Sequence, residues 1–201
     1  MSKQLKGSLM VLIAGIAWGF SGVSGQYLLA HGVNVNLLTS LRLILAGTLL
    51  TASVFFRQRD KLVQAIKDRK TLVSIALFAL FGLVLNQYAY LSAIQYTNAG
   101  TATVLQYVTP VLILAFVCAK HRRLPTAAEL VAITMAIVGT FIIATHGQLT
   151  ELAITPLGLF WGLSSAVTYA LYILLPAKAI EKWGSLIVIG LGLLLGGLIF
   201  P

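Results

Sequence analysis

Thr103, Gln106, Tyr107 and Pro110 recur at i, i+3, i+4 and i+7 within an apolar run, so on a helix they share one face. The chemistry such residues offer is non-covalent: hydrogen bonds from an amide and two hydroxyls, and an aromatic ring. In hydrocarbon a buried amide or hydroxyl without a partner costs several kcal/mol, so this face must meet other helices or a watered cavity. Pro110 removes one backbone hydrogen bond and frees a carbonyl near mid-span. Two readings stand side by side: a polar seam with a structural kink, and a path for a solute.

Three other apolar stretches carry polar or aromatic residues at helical spacing. Trp18, Ser21, Gly22 and Gly25 share a face, with small residues that let backbones approach closely. Asn86, Gln87, Tyr88 and Tyr90 cluster further along, and Trp161, Ser164, Ser165, Thr168 and Tyr172 make a third stripe. Any single Tyr or Trp fits an interfacial belt. Four stretches each bringing such a face point to a shared cavity for a small amphipathic solute. Arg42 lies about six residues inside its apolar run, ~9 Å deep. At that depth it can snorkel to the interface, or reach inward to a backbone carbonyl or an anionic group of the solute.

Little in the chain supports covalent or metal chemistry. One cysteine, Cys118, excludes an internal disulfide and a multi-cysteine metal site. His31, His121 and His146 are scattered without ligand spacing, so neither metal nor cofactor is expected. Glu129, at the start of an apolar run beside Arg122 and Arg123, belongs to an interface. No other carboxylate falls within a run, which argues against a carboxylate proton relay.

The elements that must position these residues follow from composition. The chain is 59% hydrophobic and only 9% charged, with a mean hydropathy of +0.95. That is an all-α, polytopic membrane protein. Seven apolar runs are expected to span: 7–29, 36–56, 72–95, 99–119, 127–145, 157–175 and 184 to the end. The net charge of +9 tempts a nucleic-acid reading. However, thirteen of the fourteen Lys and Arg fall in alternate connections: the N-terminus, 57–70, 120–123 and 178–182. The intervening connections hold none. This positive-inside pattern places the N-terminus in the cytoplasm and excludes nucleic acid as the reason for the charge. The 57–70 segment also reads as a surface amphipathic helix touching anionic lipid.

A faint internal repeat is present. An offset of 151 residues pairs Gly7 with Gly158, Leu12 with Leu163, and Trp18-Gly19 with Tyr169-Ala170. Five spans separate the two starts, and an odd number inverts the second unit, as in many secondary transporters.

The residues AWGFSG at 17–22, SLRLILAG at 40–47, the block from Asn86 to Pro110, Glu129 with the Gly139 helix, and GLFWGLSSAVTYALYIL at 158–174 together resemble the drug/metabolite transporter superfamily, in its ten-span EamA-type branch. The resemblance runs over nearly the whole chain. It implies two inverted five-helix repeats around a central cavity: residues 1–146 as the first repeat and 152–201 as the beginning of the second. About seven of ten helices are then present, and the expectation is a fragment that is unstable and inactive as a monomer. Its polar faces would await the missing C-terminal helices or self-association. By the same likeness Trp18, Asn86, Tyr90, Gln106, Tyr107, Trp161 and Ser165 are cavity residues, joined on spacing by Ser21, Arg42, Thr103, Pro110 and Tyr172. The implied function is secondary transport, as an exporter of small metabolites such as amino acids or drug-like solutes. It would proceed by alternating access in the plasma (inner) membrane, without catalysis. A noncatalytic membrane scaffold or sensor is the alternative, and a membrane-embedded enzyme a more distant one.

Overall fold

With no water in a bilayer core, each backbone N–H and C=O must bond within its own segment, so apolar runs of this length become helices. The computed structural model describes residues 3–145 and 154–200, and every regular element among them is helical. The proposed boundary between repeats, 146–152, and His146 lie outside the described residues. In chain order the helices are α1 (Lys3–Ala30), α2 (Val35–Lys67), α3 (Arg69–Leu77), α4 (Leu85–Tyr96), α5 (Ala99–Gln106), α6 (Thr109–His121), α7 (Ala127–Thr145), α8 (Pro156–Leu174), α9 (Ala177–Trp183) and α10 (Ser185–Ile199). Five stretches are long and apolar enough to cross a membrane, and shorter apolar helices cover Ala127–Gly139 and Ser185–Ile199. This is an all-α membrane protein.

Local sequence sets the helix ends. Asn34 caps α2 by accepting the Asn36 N–H at 2.8 Å, and Asn98 caps α5 by accepting that of Thr101, also at 2.8 Å. Thr155 caps α8, with Pro156 in its first turn. Gly32 and Gly184 adopt φ of +85° and +88° where the chain turns into α2 and α10, a region open to glycine at little cost.

Two expected continuous helices are interrupted. Between α3 and α4 the chain widens into a π-helix over Phe78–Val84. Phe78 is fully buried there, its ring 5.5 Å from that of Tyr172. The 99–119 run breaks at Tyr107 and Val108. Pro110 has no N–H for the Gln106 carbonyl, and the Thr109 hydroxyl donates to that carbonyl instead, at 2.6 Å. The Tyr107 N–H tightens onto both Thr103 and Val104 carbonyls. The single polar face expected for 103–110 is therefore divided: Gln106 is 3% exposed and Tyr107 63%.

α2 runs past its expected end to Lys67 with a kink at Gln58 (φ −143°, ψ 41°). Beyond the kink Leu62 and Ala65 join the core with Ile75, Phe78 and Ala179, while the basic residues of 57–70 stay exposed. That segment thus packs Leu62 and Ala65 on the protein, while Val63 and Ile66 stay exposed.

The most extensive pairings are α2 with α10 and α4 with α8. The first is antiparallel and built on missing side chains. A Cβ on Gly47 would collide with the backbone of Leu194, and one on Gly197 would stand 2.9 Å from the Ile44 nitrogen. Adding 150 to Ile44 and Gly47 gives Leu194 and Gly197, so the two contacts are reciprocal. The same shift relates Ser40, whose hydroxyl donates to the Phe200 carbonyl at 3.1 Å, to Gly190, packed on Leu50. Reciprocity of this kind follows from the antiparallel register of the two helices. α1 is little embedded, with Met10, Val11, Ile13, Ile16 and Phe20 exposed on a face suited to lipid. Its Gln26 side chain accepts the Ala99 N–H at 2.8 Å and ties it to the start of α5.

Candidate functional site

The central cavity forms where α1 crosses the bundle on its glycines. At Gly22 a Cβ would stand 3.2 Å from the Tyr90 hydroxyl, and at Gly25 2.8 Å from Nη2 of Arg42. These two positions give seats to a phenol and a guanidinium, whereas Gly15 and Gly19 face open space. Arg42, half-buried on α2, donates from Nη2 to the Ser21 carbonyl at 2.5 Å. Of the two outcomes expected for Arg42, the structure has the inward one, ending on a backbone carbonyl.

On the opposite side, the π-helix and α4 bring Leu83, Asn86, Gln87 and Tyr90 to the cavity at i, i+3, i+4 and i+7. Asn86 Oδ1 accepts from Gln106 Nε2 at 3.1 Å, linking α4 to α5. The Tyr90 hydroxyl lies 2.8 Å from Thr103 Oγ1. Since the Thr103 proton goes to the Ala99 carbonyl at 2.7 Å, Tyr90 is the donor in that contact. Trp18 meets Tyr169 edge to face at 5.9 Å, and Tyr169 stacks on Tyr172 at 5.4 Å, so α1 and α8 share a continuous aromatic wall. The cavity, open on one side, has a volume of about 470 Å³, within the range of small-molecule sites.

Seven of the twelve residues singled out by spacing and resemblance line this cavity together: Trp18, Ser21, Arg42, Asn86, Tyr90, Gln106 and Tyr172. The other five lie elsewhere. Thr103 borders a hollow between α1 and α5 with Gly22 and Val104. Tyr107 and Pro110, turned by the break after α5, line a second cavity of about 520 Å³ with Thr109, Arg123 and Glu129. Trp161 packs on Tyr88 and Phe160 in an aromatic cluster. Ser165 is fully buried and donates to the Gly162 carbonyl within α8 at 2.7 Å.

Tyr169 was not among the twelve, yet it borders both cavities. The signal for it was the repeat offset, which aligned Tyr169 with Trp18. Glu129 lines the second cavity but not the central one, and a bidentate pair with Arg123, at 2.7 and 2.8 Å, occupies its carboxylate. Among the described residues, no three His, Cys, Asp or Glu come together. The arrangement can bind a solute by hydrogen bonds, one positive charge and aromatic surface.

Residues 5–145 match the EamA-like transporter family. Over 200 residues the chain is 38% identical to the uncharacterized inner membrane transporter YicL of Salmonella typhimurium (strain LT2), a match covering 99% of this chain and 66% of that protein. The chain thus spans just under two thirds of that relative's length. No solved structure matches it significantly.

Proposed function

Because the chain belongs to the EamA-like transporter family, we propose that it carries the solute-binding centre of a secondary transporter that exports small metabolites, amino acids or drug-like solutes. The observation that carries this reading is the cavity itself: α1, α2, α4, α5, α8 and α10 each place a side chain on it. Its polar groups are amides, hydroxyls and one guanidinium, suited to reversible binding and without a nucleophile–base pair. Function would be transport without catalysis. The 151-residue offset read from the sequence supports two inverted repeats, with alternating access by rocking of one repeat against the other. The alternation of basic connections supports a cytoplasmic N-terminus, and the name of the Salmonella relative supports an inner-membrane location.

Vesicles of both orientations carrying the full-length protein to which this chain belongs, loaded with labelled amino acids or drug-like solutes, test the proposal. Saturable flux above that of protein-free vesicles, faster in the export direction, is the expected result. Equal leakage from both preparations would reject it.

A further inference from the structure

We infer that the central cavity selects small monocarboxylates with an aromatic or apolar body, the carboxylate pairing with Arg42. This rests on reading that cavity as the solute site. Arg42 is the only charged side chain among the cavity's lining residues. Neither ion pair seen among the described residues includes it; those are Arg123–Glu129 and Lys182–Asp68. Among the described residues its one hydrogen bond goes to a neutral acceptor, the Ser21 carbonyl. A guanidinium has five N–H donors in a planar fork, so most of its donor capacity remains for a ligand.

The position is built, because Gly25 leaves the room that the guanidinium occupies. A half-buried cation without a counter-charge among the described residues is costly to keep in a membrane span, and an anion that pairs with it recovers part of that cost. One cation offsets one negative charge. A monoanionic carboxylate therefore fits better than a phosphate dianion, which would bring a second charge with no partner. The rest of the lining sets the body of the ligand. Trp18, Tyr169 and Tyr172 form one aromatic surface through their ring contacts, and Leu83, Ile189 and Leu193 supply apolar surface. Aromatic and apolar groups gain there, while a polyhydroxylated solute would leave hydroxyls unpaired.

The probes are three molecules of one shape: 3-phenylpropionate, its neutral amide 3-phenylpropionamide, and the cation 3-phenylpropylamine. Binding to the purified protein in detergent is read by the saturable rise in thermal midpoint. The acid is expected to bind the unaltered protein at least tenfold more tightly than the amide, with the amine weakest. Arg42→Gln should reduce the acid's affinity at least tenfold and leave the amide's within threefold. Arg42→Lys should keep the preference for acid over amide at lower affinity, because Lys keeps the charge but not the fork. Should Arg42→Gln not fold, the acid-to-amide ratio in the unaltered protein and in Arg42→Lys still decides. Equal affinity for acid and amide, undiminished acid binding in Arg42→Gln, or no binding of any probe would each overturn the inference. The flux measurement is independent: acid binding that depends on Arg42 but without flux would reject transport and keep this site, and flux of neutral solutes alone would do the reverse.

Discussion

Trp18 of α1 and Tyr169 of α8 meet edge to face, 5.9 Å between ring centroids, at the wall of the central cavity. The 151-residue offset read from the sequence also pairs these two positions. An edge-to-face aromatic pair adds about 0.5–1.5 kcal/mol beyond its buried area. The single changes Trp18→Leu and Tyr169→Leu should each lower unfolding stability in detergent. The double variant should lose less than their sum by about that coupling. Additive losses would mean that the rings merely sit near one another.

Gln106 and Leu105 are neighbours in sequence with opposite duties. Gln106 bonds Asn86 on the cavity side, whereas Leu105 is buried against Gly162 of α8. Gln106→Leu should cut solute uptake roughly tenfold with near-normal abundance in the membrane, since about 1.4 kcal/mol of lost binding is a factor of ten. Leu105→Ala should act on stability instead, by about 2–5 kcal/mol. Uptake kinetics unchanged in Gln106→Leu would assign that residue to packing.

Gly47 and Gly197 hold the crossing of α2 and α10. An alanine at either would press its Cβ into the facing backbone, and overpacking of this kind costs about 1–3 kcal/mol. Since the contacts are reciprocal, Gly47→Ala and Gly197→Ala should destabilise by similar amounts, while Gly15→Ala, which meets nothing within 4 Å, should not. A large difference between the first two in chemical denaturation would mean that the two close approaches are not equivalent.

The seven apolar runs were legible because hydropathy and length alone decide whether a segment can span. The family was legible from motif order. What the sequence hid depends on tertiary packing. The π-helix at 78–84 has no local signal; it goes with Phe78 lying between Tyr172 and Gly192. The break at Tyr107 was signalled by Pro110, but a proline three residues later does not say how the preceding turn will tighten. Depth could not choose between snorkelling and inward Arg42, because the choice is made on another helix, where Gly25 opens a seat. Trp161 and Ser165 share a stripe with Tyr172, yet only Tyr172 reaches the cavity, since α4 and α5 cover the rest of that face.

At the junction of α2 and α3, Asp68 takes the Lys182 ammonium at 2.6 Å and the Thr71 hydroxyl at 2.7 Å. Trp183 donates to Thr71 at 2.8 Å, so this cluster straps α9 to the start of α3. The bond from Lys182, and next that from Thr71, hold the Asp68 carboxyl well below the usual carboxylate range. A folded-state pKa depressed in this way stabilises the fold fully above the unfolded value, about 3.9. That contribution is lost as pH falls below it toward the folded pKa. The thermal midpoint should therefore begin to drop as pH falls through about 4 and keep falling toward the folded pKa in the unaltered protein, and less in Asp68→Asn, which keeps a capping oxygen but no charge. Identical acid profiles for the two would remove the ion pair from the stability of this end.

Orientation gives the last prediction. Lys178 is exposed at the start of α9, in one of the connections that hold the basic residues, whereas His31 is exposed at the end of α1, where Lys and Arg are absent. If the positive-inside bias sets the topology, these two positions lie on opposite sides of the membrane. Native Cys118 is buried two residues before Lys120, towards a basic connection. A membrane-impermeant thiol reagent should miss it in intact cells and reach it slowly in inverted vesicles. In a Cys118→Ser background, His31→Cys should label from outside in intact cells, and Lys178→Cys only after inversion. Lys and Arg are held back by the charge asymmetry acting at insertion, so thirteen of them on one side make a strong bias. Strong external labelling of Lys178→Cys would reverse the assigned orientation, and with it the side on which the Asp68–Lys182 strap closes.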